Sequence, residues 1–180
     1  MPNKLQLLCR GLDVAPIYWK LQENPQLWNE YTTRTESPDS PHHGLDDIWA
    51  RFGNPEHAED GKPHKSHWYP SADILGIKPL CDSLMLALEG EELGGVLITR
   101  IPAGKECRPH TDPGWHARYY EKFCVQITSA PGQHFHFEGT SLESKPGDLY
   151  WFDNQFLHWV TNPTPYERVS MIVCIRRKEK

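Results

Sequence analysis

In the second half of the chain, short apolar and aromatic runs recur between clusters of Gly, Pro, Asn and Ser, a spacing that predicts strands rather than helices. The strand signals fall at about residues 95–101, 107–112, 120–128, 134–138, 148–152, 156–161 and 168–176. The first half reads differently. Leu5 to Cys9 is a candidate first strand, and Asp13 is placed to cap a short helix from about Val14 to Glu23. Between 79 and 88, Leu80, Leu84, Ala87 and Leu88 recur at helical spacing, with Pro79 suited to the first turn, so a helix packed outside a sheet core is expected. Residues 32–70 are crowded with Pro, Gly, Ser, His and charged residues and are broken by the apolar Ile48-Trp49-Ala50. That stretch is expected to form a long irregular lid facing the substrate.

Composition narrows the picture without naming a reaction. A length of 180 residues predicts one domain. Residues 1–92 would supply helices and substrate-facing loops, packed on a strand core over 93–180. Hydrophobic content of 38%, with 7 Trp, 7 Tyr and 6 Phe, is enough for a sheet core, and 16 Pro with 13 Gly predict many turns. No apolar run reaches the length of a membrane span and no leader pattern is present, so a cytoplasmic protein is expected. The net charge of −5 disfavours general nucleic-acid binding. Cys9, Cys81, Cys107, Cys124 and Cys174 are scattered, with no Cys-x-x-Cys pair, and read as reduced and mostly buried thiols. Oligomeric state is left open.

The candidate chemistry lies in the last third. His110 and Asp112 are two apart on a predicted strand end, so they share a face. His158 lies on a later strand. Two imidazoles and one carboxylate make a facial donor set for non-haem Fe(II), which leaves positions open for a small substrate and dioxygen. After His158, the turn Thr161-Asn162-Pro163-Thr164-Pro165 leads to Arg168 and Ser170. A hairpin centred near Thr164 would pair Ser170 with His158 and Arg168 with Val160, aiming all of them at one interior. A buried guanidinium there requires an acidic partner. A dicarboxylic acid reaching from the iron would satisfy it, at roughly 1.5–3 kcal/mol for the charge-assisted contact.

His-x-Asp, the distal His158 and an Arg-x-Ser ten residues beyond it resemble the iron(II)/2-oxoglutarate-dependent oxygenases. Within them, Phe152-Asp153-Asn154-Gln155-Phe156-Leu157-His158 with Arg168, and Thr99-Arg100-Ile101-Pro102-Ala103-Gly104 leading to Arg108-Pro109-His110-Thr111, are similar to the aspartyl/asparaginyl β-hydroxylase branch, whose bacterial and phage members are also similar at Trp49 and Gly94-Gly95-Val96-Leu97-Ile98-Thr99. The resemblance covers about residues 94–176. It implies a double-stranded β-helix, the jelly roll shared with cupins, flanked by a few N-terminal helices. It implies Fe(II), 2-oxoglutarate as cosubstrate and O2, with hydroxylation of a C–H bond coupled to decarboxylation of 2-oxoglutarate to succinate and CO2.

By the same resemblance, His110, Asp112 and His158 are the iron ligands and Arg168 holds the distal carboxylate of 2-oxoglutarate. Thr99 and Ser170 would be hydroxyl contacts to the cosubstrate. Two positions depart from the animal members. Those bind iron with two His, whereas this chain has Asp112, and they carry Arg-x-His where this chain has Tyr120-Glu121-Lys122. Tyr120 and Lys122 would replace those contacts as donors to a carboxylate.

Other readings stay open. His134 and His136 with Glu138 resemble part of a cupin metal site, which would make a metalloenzyme that does not use 2-oxoglutarate. A jelly-roll module that binds an acid or carbohydrate without catalysis is a third class. The substrate would be a small molecule or a peptide or protein, met by the loops 32–70 and 113–119. Trp115, His116, Trp151 and Asn154 are candidate substrate contacts, whereas His42, His43, His57, His64 and His67 read as solvated.

Overall fold

A computed structural model describes residues 4–54 and 64–178. Two antiparallel sheets face each other as a jelly roll. The larger sheet is built, in spatial order, from β1 (Leu5–Cys9), β9 (Leu149–Phe152), β6 (Glu121–Thr128), β11 (Arg168–Arg177), β4 (Gly90–Ile101), β2 (Asp46–Phe52) and β3 (His67–Trp68). The smaller holds β5 (Glu106–His110), β10 (His158–Thr161), β7 (His134–Phe137) and β8 (Thr140–Leu142). Helices α1 (Ala15–Glu23), α2 (Pro70–Leu75) and α3 (Lys78–Ala87) cover the outer face of the larger sheet, and α4 (Trp115–Tyr119) follows β5.

The strand period explains the layering. On β11, Val169, Met171, Val173 and Ile175 point outward, where with Val96, Ile98, Phe123 and Val125 they bury Ile17 and Leu21 of α1, Leu75 of α2 and Leu84 of α3. Arg168, Ser170, Ile172 and Cys174 point inward, toward the smaller sheet. A strand covered on both faces reads as nearly continuous apolar sequence, and β11 does. The turn before β9 needs its glycine. Gly147 has φ +84°, and a Cβ there would lie 2.6 Å from the Leu12 carbonyl oxygen.

Three expectations are corrected. Residues 32–70 are not one irregular lid, because Asp46–Phe52 forms β2 beside β4, with Ile48 and Ala50 in the outer core. The apolar Ile48-Trp49-Ala50 was a strand core hidden among polar flanks. Residues 1–92 therefore do more than pack against a later core, since β1, β2 and β3 are strands of the larger sheet. Residues 55–63 of that stretch, His57 among them, lie outside the described residues.

The third correction concerns the hairpin. β10 pairs with β5 and β7, whereas β11 pairs with β4 and β6. The turn after His158 crosses from one sheet to the other. Pro163 and Pro165 cannot donate to a ladder, and buried Asn162 ties the crossing down by donating to the carbonyls of Ile101, Pro102 and Tyr166 at 3.1, 3.0 and 2.7 Å. Arg168 and Ser170 still face the interior shared with His158, but from the opposing sheet rather than from a paired strand.

Candidate active site

Between the sheets lies a cavity of about 260 Å³. On the smaller sheet, His158 at the start of β10 pairs directly with His110 at the end of β5, which sets the two rings 4.3 Å apart. Asp112 follows the strand end, and its backbone N–H donates to the Asn154 carbonyl at 2.9 Å. Ligand atoms of His110, Asp112 and His158 lie within 4.8 Å of one another.

Hydrogen bonds outside this cluster orient its imidazoles. His110 Nδ1 meets the Arg108 carbonyl at 2.7 Å, and His158 Nδ1 meets the Phe156 carbonyl at 2.8 Å. A carbonyl only accepts, so each Nδ1 carries the proton and each Nε2 is left with its lone pair. Burial lowers the pKa of His110, and it pushes that of His158 down to about 4. Both rings are therefore neutral near pH 7.

Their Nε2 atoms face Asp112, His110 at 3.6 Å from Oδ1 and His158 at 3.8 Å from Oδ2. Burial by itself would raise the Asp112 pKa, but the Lys122 charge and hydrogen bond, with help from the imidazoles, hold it below the usual value. Two imidazole lone pairs and a carboxylate thus converge, with the Lys122 ammonium on one carboxylate oxygen. This donor set fits a divalent cation.

The opposite wall belongs to the larger sheet. Arg168 is 1% exposed, and among the described residues no carboxylate pairs with it. Its terminal nitrogens reach the Ser144 and Tyr150 hydroxyls at 3.2 Å, and its Nε has no partner. An unpaired guanidinium at that depth is costly. The charge and the orphaned donor suit an anionic ligand entering from the cavity. Thr99 and Ser170 are direct partners across β4 and β11 and line the same space.

Several side chains here escaped the sequence reading. Asp47 on β2 is buried and accepts from Thr99 Oγ1 at 2.7 Å and from Arg34 at 2.8 Å. Thr99 thereby spends its one proton on Asp47, so while that bond holds it cannot donate to a cosubstrate. Arg34 also donates to His42 Nε2 at 2.8 Å, and His42 Nδ1 lies 3.3 Å from Cys107 Sγ. His42, expected in solvent, is therefore a cavity wall.

His42, Cys107 and His110 also cluster closely enough to hold an ion. The Arg34 bond argues against that use, because a guanidinium only donates and so forces the His42 proton onto the nitrogen facing Cys107. Burial raises the Cys107 thiol to about 12, which keeps it protonated. The only sequence hint of this network was an Arg, a His and an Asp within a polar stretch.

The remaining candidates separate. His116 lines the cavity, partly exposed as a residue but with its Nε2 buried and unpartnered, and desolvation pushes its pKa down to about 4. Lys122 lines it too, but its ammonium bonds Asp112. Tyr120 does not reach the cavity, since its hydroxyl donates to Glu92 at 2.8 Å. Trp115 sits with it in a separate surface cleft. Trp151 points to the outer, helix-covered face, one residue out of phase with Tyr150 and Phe152. Asn154 is buried behind Asp112 and donates to the Ala117 carbonyl at 3.3 Å. His134 and His136 lie on the outer face of the smaller sheet, where His134 meets Glu143 and His136 stacks on Trp159 at 5.1 Å.

A family model described as aspartyl/asparaginyl β-hydroxylase matches residues 77–178, more than half of the chain and all of the strands that carry this cluster. The chain belongs to that family. As an aspartyl/asparaginyl β-hydroxylase family member it is a hydroxylase of the 2-oxoglutarate and Fe(II) oxygenase class. Solved structures agree in fold. An oxidoreductase of the 2OG-Fe(II) oxygenase family from Burkholderia pseudomallei is 16% identical, with TM-score 0.57 over 98% of this chain and 96% of that one. A Pseudomonas putida prolyl-4-hydroxylase is 14% identical, with TM-score 0.57 over 99% and 95%. A Trichoplax adhaerens prolyl hydroxylase, in complex with a hypoxia inducible factor oxygen degradation domain peptide fragment, is 12% identical, with TM-score 0.60 over 97% and 84%. No curated protein sequence matches this family member.

Proposed function

We propose that this protein hydroxylates a C–H bond of an amino-acid residue, free amino acid or other small polar substrate, using O2 and converting 2-oxoglutarate to succinate and CO2. His110, Asp112 and His158 would hold the iron. Bound Fe(II) and 2-oxoglutarate would together activate O2, which is the oxidant: one oxygen atom would end in succinate and the other in the new hydroxyl group. The chain's own residues position and enclose. Neutral Nε2 atoms and an ionised Asp112 are ready to ligate without losing a proton.

Arg168 takes the distal carboxylate of 2-oxoglutarate, backed by Tyr150, with Ser170 beside it. Phe135, Phe152, Val160 and Ile172 keep the space between the two groups apolar. Water exclusion there strengthens each charged contact and limits side reactions. His116, Arg34 and His42 line the part of the cavity left for the prime substrate. A peptide substrate is supported by the peptide-bound Trichoplax enzyme of the same fold.

One observation carries this reading: a buried arginine that has no carboxylate partner among the described residues shares a small cavity with two neutral imidazoles and a carboxylate. The test is succinate release from 2-oxoglutarate across a panel of free amino acids and peptides. Release is expected to require Fe(II) and to fall at least about a hundredfold in His158→Ala, since a direct ligand should matter more than the orienting groups behind it. Release that does not depend on Fe(II), or that survives the substitution, contradicts the assignment.

A further inference from the structure

The sequence places Lys122 among donors to a cosubstrate carboxylate, but the fold gives it a different partner. Its ammonium bonds Asp112 Oδ2, and both side chains are largely buried, at 19% and 15% exposure. Among the described residues no other side chain donates a hydrogen bond to that carboxylate. The remaining hold on Asp112 is through its backbone, at Asn154. Resting on the reading of His110, Asp112 and His158 as ligands, we propose that Lys122 is a positioning residue that holds Asp112 by one oxygen and thereby limits how tightly the site binds a divalent metal.

Two cations compete for one carboxylate. Without metal, a buried carboxylate facing two imidazole lone pairs would be uncompensated, and Lys122 neutralises it. The pair keeps the metal-free site assembled. An arriving divalent ion must then share Asp112 with the ammonium or displace it, and it meets a like charge at close range in either case. The two oxygens divide the work. Oδ1 stands nearest His110 and is free of the ammonium, so the geometry favours one-oxygen ligation. Lys122 is fixed for this by β6, which sits between β9 and β11 in the larger sheet and lets the ammonium reach across to the end of β5.

The experiment uses Co(II), an oxygen-insensitive stand-in for Fe(II), titrated calorimetrically into the metal-free protein, with thermal unfolding measured alongside. Lys122→Met keeps length and removes charge. It is expected to tighten Co(II) binding by about tenfold or more, lower the unfolding temperature of the metal-free form and enlarge the rise produced by metal. Lys122→Arg should return both readouts toward wild type, and Lys122→Gln, a second neutral variant, should move them in the direction of Lys122→Met. In an Asp112→Ala background the tightening should largely vanish, because it acts through that carboxylate.

Unchanged or weaker Co(II) binding in both neutral variants overturns the proposal. So does unchanged metal affinity combined with a loss of 2-oxoglutarate affinity, which would make Lys122 a cosubstrate ligand instead. If wild-type protein takes up no Co(II) at all, the ligand assignment itself fails, and that result is separate from any difference among the Lys122 variants.

Discussion

The two faces of β11 use the same backbone for opposite purposes. Outward, Val169, Met171, Val173 and Ile175 are at most 2% exposed and lie under the helices. Inward, Arg168 and Ser170 alternate with them and face the metal-binding candidates. On the outer face these side chains join the apolar core cluster, so burial stabilises at roughly 25 cal/mol per Å² of surface removed from water. On the inner face the largest buried side chain is Arg168, a cation that no carboxylate pairs among the described residues.

Substitutions on the two faces should separate stability from function. Met171→Ala leaves a cavity in a fully packed layer and should cost about 2–5 kcal/mol in urea unfolding, with 2-oxoglutarate affinity unchanged in the folded fraction. Arg168→Ala should behave in the opposite sense. It removes a charge-assisted contact of about 1.5–3 kcal/mol, so the 2-oxoglutarate concentration needed for half-maximal turnover should rise by about ten- to a hundredfold while Co(II) still binds. Equal effects of the two on cosubstrate affinity would erase the distinction.

A smaller effect comes from His116 on the cavity wall. Its folded pKa of about 4 lies below the ordinary 6.5, so between those values the unfolded chain binds a proton that the folded chain does not. Stability from keeping this ring neutral is therefore complete above pH 6.5 and is lost as pH falls toward 4. Between about pH 7 and about pH 5 it should contribute about 2 kcal/mol of destabilisation to the metal-free protein. His116→Phe should remove that part of the pH dependence in paired denaturation curves, and an unaltered slope would show that the ring is not held neutral.

Much of this architecture was legible where periodicity and chemistry coincide. The strand signals from 95 onward match β4 to β7 and β9 to β11 within a few residues, because alternation and turn residues bound each one. The helix at 79–88 was visible for the same reason, and α3 spans Lys78–Ala87. β2 was not. Its seven residues sit inside a polar stretch, and Asp46, Asp47 and Arg51 are stabilised by tertiary partners that local pattern does not contain.

In the site, the two-residue spacing marked His110 and Asp112 as neighbours, although β5 ends at His110 and Asp112 lies just past it. Linking them to Arg168 by a hairpin was the wrong route to the same cavity. Prolines after His158 looked like a tight turn, but turn residues do not specify whether the chain stays in its sheet. Asp47, Arg34 and His42 were out of reach altogether, since a buried hydrogen-bonded chain from β2 to β5 has no sequence period.

The central claim is that the converging acceptors and the unpaired Arg168 serve one metal and one dicarboxylate in a single cavity. Anaerobic addition of Fe(II) and then 2-oxoglutarate tests it most directly, by the visible charge-transfer absorption of the chelate. The band should appear in wild-type protein only when both are present, and it should be absent in Asp112→Ala and require more 2-oxoglutarate in Arg168→Ala. A folded wild-type protein that shows no band under these conditions would contradict the account.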